Sequence, residues 1–139
     1  MKYLLDVNVL VAWGWSDHVE HERAASWIAA MKRKRGVNLL TSPIPELGFV
    51  RVSLQRTRGR LAVSDAVDTL ASMIRSLGHR HRFLADGRSS SNGFPSWCSN
   101  ASMTTDAHLL SLALDNGAQL ATLDADIPGA FLIPAAQMR

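Results

Sequence analysis

Short apolar segments alternate with helical patterns along this chain, and this alternation limits the possible folds more than any other feature. The apolar segments are typical of buried strands and lie at residues 2–5, 38–41, 83–85, 119–122 and 131–133. The stretches between them place apolar residues three and four positions apart, as helices do, at about residues 9–15, 46–55, 63–77 and 104–114. Strands separated by helices form βαβ units, in which the strands are parallel and helices cover both faces. We therefore predict an α/β fold, a three-layer α/β/α single domain with a central parallel sheet, over residues 1–139.

A further helix is predicted between the first two strands. The segment DHVE at residues 17–20 matches a capping box, in which Asp17 caps the helix and Glu20 bonds back to the cap. Apolar residues at helical spacing follow, and Gly36 is the expected end of the helix.

The composition fits one globular domain. The chain has 139 residues, of which 47% are apolar and 19% charged, and no apolar run approaches the length of about 20 residues that a membrane span needs. Its one cysteine, Cys98, excludes an internal disulfide and a cysteine-based zinc cluster. The sequence shows no secretory leader, so we expect the cytoplasm as the compartment. The formal charge of +3 favours a partner that carries phosphate.

A serine- and glycine-rich stretch interrupts the pattern at about residues 86–102. It contains six serines and two glycines and has no helical or strand periodicity. Loops of this length are usually functional or mobile, so we predict a long loop here.

Acidic residues follow the strands at the places where a parallel sheet binds its ligands. Asp6 comes directly after the first strand and Asp124 after the fourth, while Glu46 and Asp106 open the helices after the second strand and the long loop. Ligands of open parallel sheets bind outside the carboxyl ends of the strands. Each acid alone could be a cap or a partner of a helix dipole. Together, we expect them to meet at one edge of the sheet.

Carboxylates gathered in this way need a cation. They repel one another, and some take up protons unless a cation joins them. A site made only of oxygen atoms suits Mg²⁺, or Mn²⁺, better than softer metals. Such an ion activates water and neutralises a scissile phosphate. With the basic surface, the pattern indicates a metal-dependent nuclease.

Four segments resemble the motifs of the PIN domain, in the same order along the chain. They are LLDVNVL at residues 4–10, PIPELGFVR at 43–51, TDAHLLSLA at 105–113 and LATLD at 120–124. The likeness covers nearly the whole chain and is greatest to the VapC-type toxins of bacterial toxin–antitoxin pairs, whose second helix is similar at His18, His21, Ala24 and Trp27.

The resemblance implies a metal-dependent endoribonuclease that leaves 5′-phosphate and 3′-hydroxyl ends. Its acidic site, which carries catalysis and holds the metal, would consist of Asp6, Glu46, Asp106 and Asp124. The supporting polar groups would be Asn8 and Thr105. Asp126 is an alternative fourth acid, and we favour Asp124 because it directly follows the strand.

The resemblance also implies partners. The substrate would be RNA, and a cognate antitoxin protein would hold the toxin inactive and bind operator DNA, so that the toxin itself meets DNA only through the antitoxin. Pairing as homodimers is common in this family, and no membrane is involved.

Two basic stretches are candidates for contact with the RNA backbone. One ends the second predicted helix and the other follows Glu46, and the candidate residues are Lys32, Arg33, Arg51, Arg56 and Arg58. Cations at a helix end also interact favourably with the helix dipole, so a solvated terminus is the favoured explanation of the first stretch.

Two other functions fit parts of the sequence. A phosphatase of the haloacid dehalogenase type also begins with a strand that ends in Asp, but its chemistry needs a second acid two residues later, where this chain has Asn8. A catalytically inactive PIN-like module could instead bind RNA or a regulatory protein. Four mutually repelling acids serve no purpose in such a module, so the nuclease is favoured.

Overall fold

The computed structural model describes residues 1–136 and contains a five-stranded, fully parallel sheet. The strands are β1 (Lys2–Leu5), β2 (Asn38–Thr41), β3 (His81–Phe83), β4 (Gln119–Thr122) and β5 (Phe131–Leu132), in the spatial order β3-β2-β1-β4-β5. Leu4 of the central strand pairs with Leu40 of β2 and Leu120 of β4. The predicted parallel α/β architecture is confirmed.

Helices cover both faces of the sheet. They are α1 (Val7–Gly14), α2 (His21–Lys32), α3 (Pro43–Arg56), α4 (Val63–Leu77) and α5 (Thr104–Asp115). The first four pack together, with α1 against α2, α3 and α4, while α5 packs on β4 and β1. Alternate strand residues therefore enter two separate cores, Leu5 and Leu39 on the side of α1 to α4, and Leu4 and Leu40 on the side of α5.

A glycine lets α3 approach α1 closely. A Cβ atom at Gly48 would lie 2.7 Å from Cγ2 of Val7, which is closer than such atoms pack. Val7 comes directly after Asp6, and Gly48 comes two residues after Glu46. The contact between Val7 and Gly48 therefore brings two of the acid-bearing segments together.

The predicted start of α2 is wrong. The helix begins at His21, and neither Asp17 nor Glu20 caps it with its side chain. Residues 15–21 instead form consecutive turns, in which the His18 N–H donates to Trp15 O and the His21 N–H donates to His18 O. Asp17 instead forms an ion pair with Arg56, in which Oδ1 of Asp17 lies 2.9 Å from an Nη atom of Arg56. The helix also ends at Lys32, four residues before Gly36.

Smaller differences concern element ends. The third strand spans His81–Phe83 rather than residues 83–85, because it pairs with β2 from Leu39 to Thr41. The helix α3 begins at Pro43, since proline fits the first helical turn. The long loop is present and contains the short 3₁₀ turns Ser90–Asn92 and Ala101–Met103. Among the helices of residues 1–136, none combines the length and apolar character needed to cross a membrane.

Candidate active site

Asp6 lies at the junction of β1 and α1, where it caps the helix and is buried. One carboxylate oxygen accepts from the Val7 N–H at 2.7 Å, and the other accepts from the Thr122 hydroxyl at 2.8 Å. Burial, with only 3% of the residue exposed, raises its pKa above 3.8, the two hydrogen bonds lower it, and the charge of Asp124 raises it further. The fold therefore holds an ionisable group where the charged form is costly.

Asp106 lies in the first turn of α5 and faces the same acids. Its pKa is raised to about 6, mainly by burial and further by the charges of Asp6 and then Asp124. The charge of Asp124 thus acts on the protonation of Asp6 and Asp106, and the charge of Asp6 acts on Asp106, although the three acids lie far apart in the chain. Their convergence at the carboxyl ends of β1 and β4 agrees with the predicted placement.

A hydrogen-bond network around Thr122 fixes the end of β4. The Thr122 hydroxyl accepts from Nδ2 of Asn8 and from the Asp124 N–H, both at 3.1 Å, and donates to Asp6. Oδ1 of Asn8 accepts from the Leu123 N–H at 3.2 Å. Asn8 therefore supports the site by joining α1 to the segment that carries Asp124.

Asp124, rather than Asp126, joins Asp6 and Asp106 in one group of acids, called the acidic group below. The charge of Asp124 acts on both Asp6 and Asp106. Asp126 is exposed, and its backbone N–H donates to Oδ1 of Asp124 at 2.9 Å, which closes the turn after β4.

Glu46 reaches the same edge of the sheet but bonds to β2. The Thr41 hydroxyl, which is fully buried, donates to Oε2 of Glu46 at 2.7 Å and lies 2.7 Å from Nε2 of His81. Because its single proton goes to Glu46, the hydroxyl accepts from an Nε2–H of His81. Burial lowers the pKa of His81, the charge of Glu46 partly offsets this, and Arg82 adds to the lowering. Neither Thr41 nor His81 was among the site residues predicted from the sequence. The available signal for Thr41 was its position as the last residue of a buried strand that ends beside the acids.

An open cleft of about 350 Å³ lies beside the acids. Its polar lining consists of Asp6, Asn8, His18, Arg51, Thr105 and Asp106. Arg51 thus places a cation next to the acids, as one of the RNA-binding predictions requires. His18 is half-buried in the lining of this cleft, and its Nδ1 accepts from the Glu20 N–H at 3.0 Å.

The other RNA-binding candidates fall into two places. Arg56 and Arg58 line a second pocket at the end of α3. Lys32 and Arg33 lie at the end of α2, where Lys32 O accepts from Arg80 just before β3. This is the side of the sheet where the strands begin, opposite the acids, and no contact that they make with residues 1–136 bears on RNA binding.

The chemistry of the donor set fits a hard divalent cation. The acidic group offers carboxylate oxygens whose charged forms are opposed by burial and by mutual repulsion, and a cation removes both penalties. Within residues 1–136 no three His, Cys, Asp or Glu side chains already stand in a ligating arrangement. Asp6 and Glu46 instead accept from hydroxyl groups. Mg²⁺ commonly keeps several waters and binds one or two carboxylates directly, so it needs no preformed cage.

Comparison with known proteins gives a consistent result. The PIN domain matches residues 3–130. Ribonuclease VapC38 of Mycobacterium tuberculosis (strain ATCC 25618 / H37Rv) is 38% identical over 126 residues, which are 89% of this chain and 86% of that protein. Ribonuclease VapC39 of the strain CDC 1551 / Oshkosh is 37% identical over 130 residues, covering 90% of each chain. Ribonuclease VapC44 of that strain is 36% identical over 129 residues, covering 91% of this chain and 89% of its own.

Proposed function

This chain belongs to the PIN-domain family, and from that premise we propose that it is a divalent-metal-dependent endoribonuclease acting as the toxin of a toxin–antitoxin pair. Relatives of nearly equal length carry the name ribonuclease. The observation that carries the proposal is the gathering of Asp6, Asp106 and Asp124 at one side of the sheet, where Asp6 is buried and the charge of Asp124 raises the pKa of both Asp6 and Asp106. Membership in the PIN family removes the phosphatase alternative.

We propose Mg²⁺ as the cofactor, with Mn²⁺ as a substitute, because the donors are hard oxygens. Asp6, Asp106 and Asp124 would hold the ion, and Glu46 would hold it or a water bound to it. Such an ion, when bound, neutralises the scissile phosphate and lowers the pKa of a bound water. No histidine or cysteine is needed as a ligand.

The chain's own residues hold the acidic side chains in fixed orientations. The Val7 N–H and the Thr122 hydroxyl fix both oxygens of Asp6, so this carboxylate does not have to reorganise when a ligand binds. Thr41 holds one oxygen of Glu46 in the same way. Arg51, which lines the cleft, would bind a phosphate of the RNA next to the acids. Thr105, which borders the same cleft, offers a hydroxyl to the substrate or to water.

The proposed partners follow from this assignment. They are an RNA substrate, a cognate antitoxin that blocks the site, and operator DNA bound through the antitoxin. We propose a homodimer in the cytoplasm as the free form of the toxin.

The function is tested by incubating the purified protein with RNA in Mg²⁺ and in EDTA. We expect cleavage that EDTA stops and Mg²⁺ or Mn²⁺ restores, with 5′-phosphate ends. Asp6→Asn and Asp124→Asn should abolish it, whereas the matched variant Asp126→Asn should cleave as the parent does. Equal loss in Asp124→Asn and Asp126→Asn would contradict the assignment of the fourth acid.

One outcome would reject the metal dependence, and another would reject the enzymatic activity. Cleavage that persists in EDTA would exclude a metal-dependent site. RNA binding without cleavage in any divalent metal would instead support the inactive RNA-binding module. Growth arrest on induced expression, lost in Asp6→Asn and prevented by the protein encoded next to this gene, would test the toxin assignment.

A further inference from the structure

A second pocket, of about 380 Å³, adjoins the acidic cleft and is basic. It is lined by Trp15, Asp17, Arg56, Thr57, Arg58 and Arg60. Arg56 pairs with Asp17 at 2.9 Å. Among residues 1–136, no carboxylate lies within ion-pair distance of Arg58 or Arg60. The pocket therefore carries two exposed positive charges that form no ion pair with residues 1–136.

The same two elements line the pocket and the cleft, although no single residue lines both. One wall is the turn between α1 and α2, which gives Trp15 to the pocket and His18 to the cleft, with the His18 N–H donating to Trp15 O at 3.0 Å. The other wall is α3, which gives Arg51 to the cleft and Arg56 to the pocket. Five residues of helix separate the two arginines by about 7.5 Å along the axis. The same step turns the helix by about 140°, so a strand of RNA would pass from the cleft to the pocket around α3, beside the turn that carries Trp15 and His18.

The pocket also contains a flat surface. The guanidinium of Arg56 lies over the Trp15 ring, 5.0 Å from its centroid. The indole N–H of Trp15 donates at 3.0 Å to the hydroxyl of Ser53, which is buried, so the ring is held in place. A guanidinium fixed on one face by an aromatic ring offers its other face for stacking, and unpaired RNA bases stack on arginine planes.

We propose that this pocket binds the nucleotide of single-stranded RNA that lies beside the cleaved segment, with its phosphates on Arg58 and Arg60 and its base on the Arg56 guanidinium. The inference rests on the proposed ribonuclease function and adds a substrate subsite to it. RNA fits better than an acidic peptide, because the Arg56 guanidinium offers a plane on which a base stacks and a carboxylate side chain does not.

The test measures binding of a labelled single-stranded RNA at several salt concentrations, in a background of Asp6→Asn with Mg²⁺ present. The variant is Arg58→Gln with Arg60→Gln. The control is Lys2→Gln with Arg75→Gln, which removes the same charge from exposed residues at the opposite edge of the sheet. Glutamine leaves the backbone hydrogen bonds of this turn intact, which matters because Arg58 has a φ of +52°. Thermal unfolding checks that both variants fold.

We expect the pocket variant to bind RNA about tenfold more weakly at low salt and the control to bind nearly as the parent does. Two lost phosphate contacts on a single strand reduce the slope of log K against log salt by about 1.4. Arg56→Lys, which keeps the charge and removes the plane, should weaken binding and leave the salt slope unchanged.

Cleavage by the chain with Asp6 intact gives a second readout. Arg58→Gln with Arg60→Gln should slow the cleavage of long RNA more than that of an RNA that ends before the pocket. Equal binding and equal cleavage in the pocket variant and the control would overturn the subsite and leave the ribonuclease standing, and would assign these cations to another ligand such as an acidic protein segment. A parent chain that neither binds nor cleaves RNA would overturn both.

Discussion

Replacing Asp106 with asparagine should stabilise the metal-free protein while abolishing its activity. In the folded chain the pKa of Asp106 is about 6, against an ordinary value of 3.8, because of burial and the charges of Asp6 and Asp124. A carboxyl group with a raised pKa stabilises the fold fully below pH 3.8, and this contribution is lost as the pH rises through about 6. Above that pH the folded protein carries an unfavourable charge that asparagine removes.

The size of the effect follows from the two pKa values. The difference between about 6 and 3.8, at about 1.36 kcal/mol per pKa unit, is about 3 kcal/mol. Asp106 is only half-buried, so solvent screening reduces this to about 1 to 2 kcal/mol. Loss of a favourable acid at the helix start subtracts about 0.5 kcal/mol. The melting temperature in EDTA should therefore rise by about 2 to 6 °C above pH 6.

The assay is thermal or urea unfolding in EDTA across the acidic and neutral range, repeated with Mg²⁺. The matched control is Asp65→Asn, which changes an exposed acid in the first turn of α4 and should cost stability slightly at neutral pH. Added Mg²⁺ should stabilise the parent more than Asp106→Asn. If Asp106→Asn in EDTA were no more stable than the parent above pH 6, the mutual repulsion of the acids would be refuted.

Two further predictions concern the supports of the site. Thr41→Val should slow RNA cleavage and lower the free energy of unfolding by about 2 kcal/mol, because Glu46 loses its hydrogen-bond donor. Thr41→Ser should keep the cleavage rate and the stability near the parent values. Equal activity of the two variants would exclude this role of Thr41. Gly48→Ala should destabilise the fold by about 1 to 3 kcal/mol in urea unfolding, because the new Cβ would lie 2.7 Å from Cγ2 of Val7. Unchanged stability would show that α3 can move away from α1.

The sequence was sufficient to predict the bounds of a strand or helix where the local pattern and the parallel topology agree. The strands at residues 2–5, 38–41 and 119–122 and the helix at 63–77 were predicted with their observed bounds, because apolar runs and helical spacing agree there with burial. The placement of Asp6, Asp106 and Asp124 at one edge also follows from topology, since acids after parallel strands share that edge whatever their separation in the chain.

Other features depend on contacts between distant residues and could not be read locally. Asp17 fits a capping box, yet it pairs with Arg56, which lies 39 residues later in the chain. The bond of Thr41 to Glu46 and its contact with His81 require the pairing of β2 with β3 to be known first. The roles predicted for the individual acids, and for Arg51 in RNA binding, stay predictions until they are measured.

Diffraction from crystals soaked in Mn²⁺ and measured at the manganese absorption edge tests the central claim most directly. The account predicts an anomalous peak at the carboxyl ends of β1 and β4, in contact with the carboxylates of Asp6 and Asp106 at about 2.0 to 2.3 Å. The peak should disappear in crystals of Asp6→Asn. Strong Mn²⁺ peaks only elsewhere, or none in crystals of protein that cleaves RNA in Mn²⁺, would contradict a metal site built from these acids.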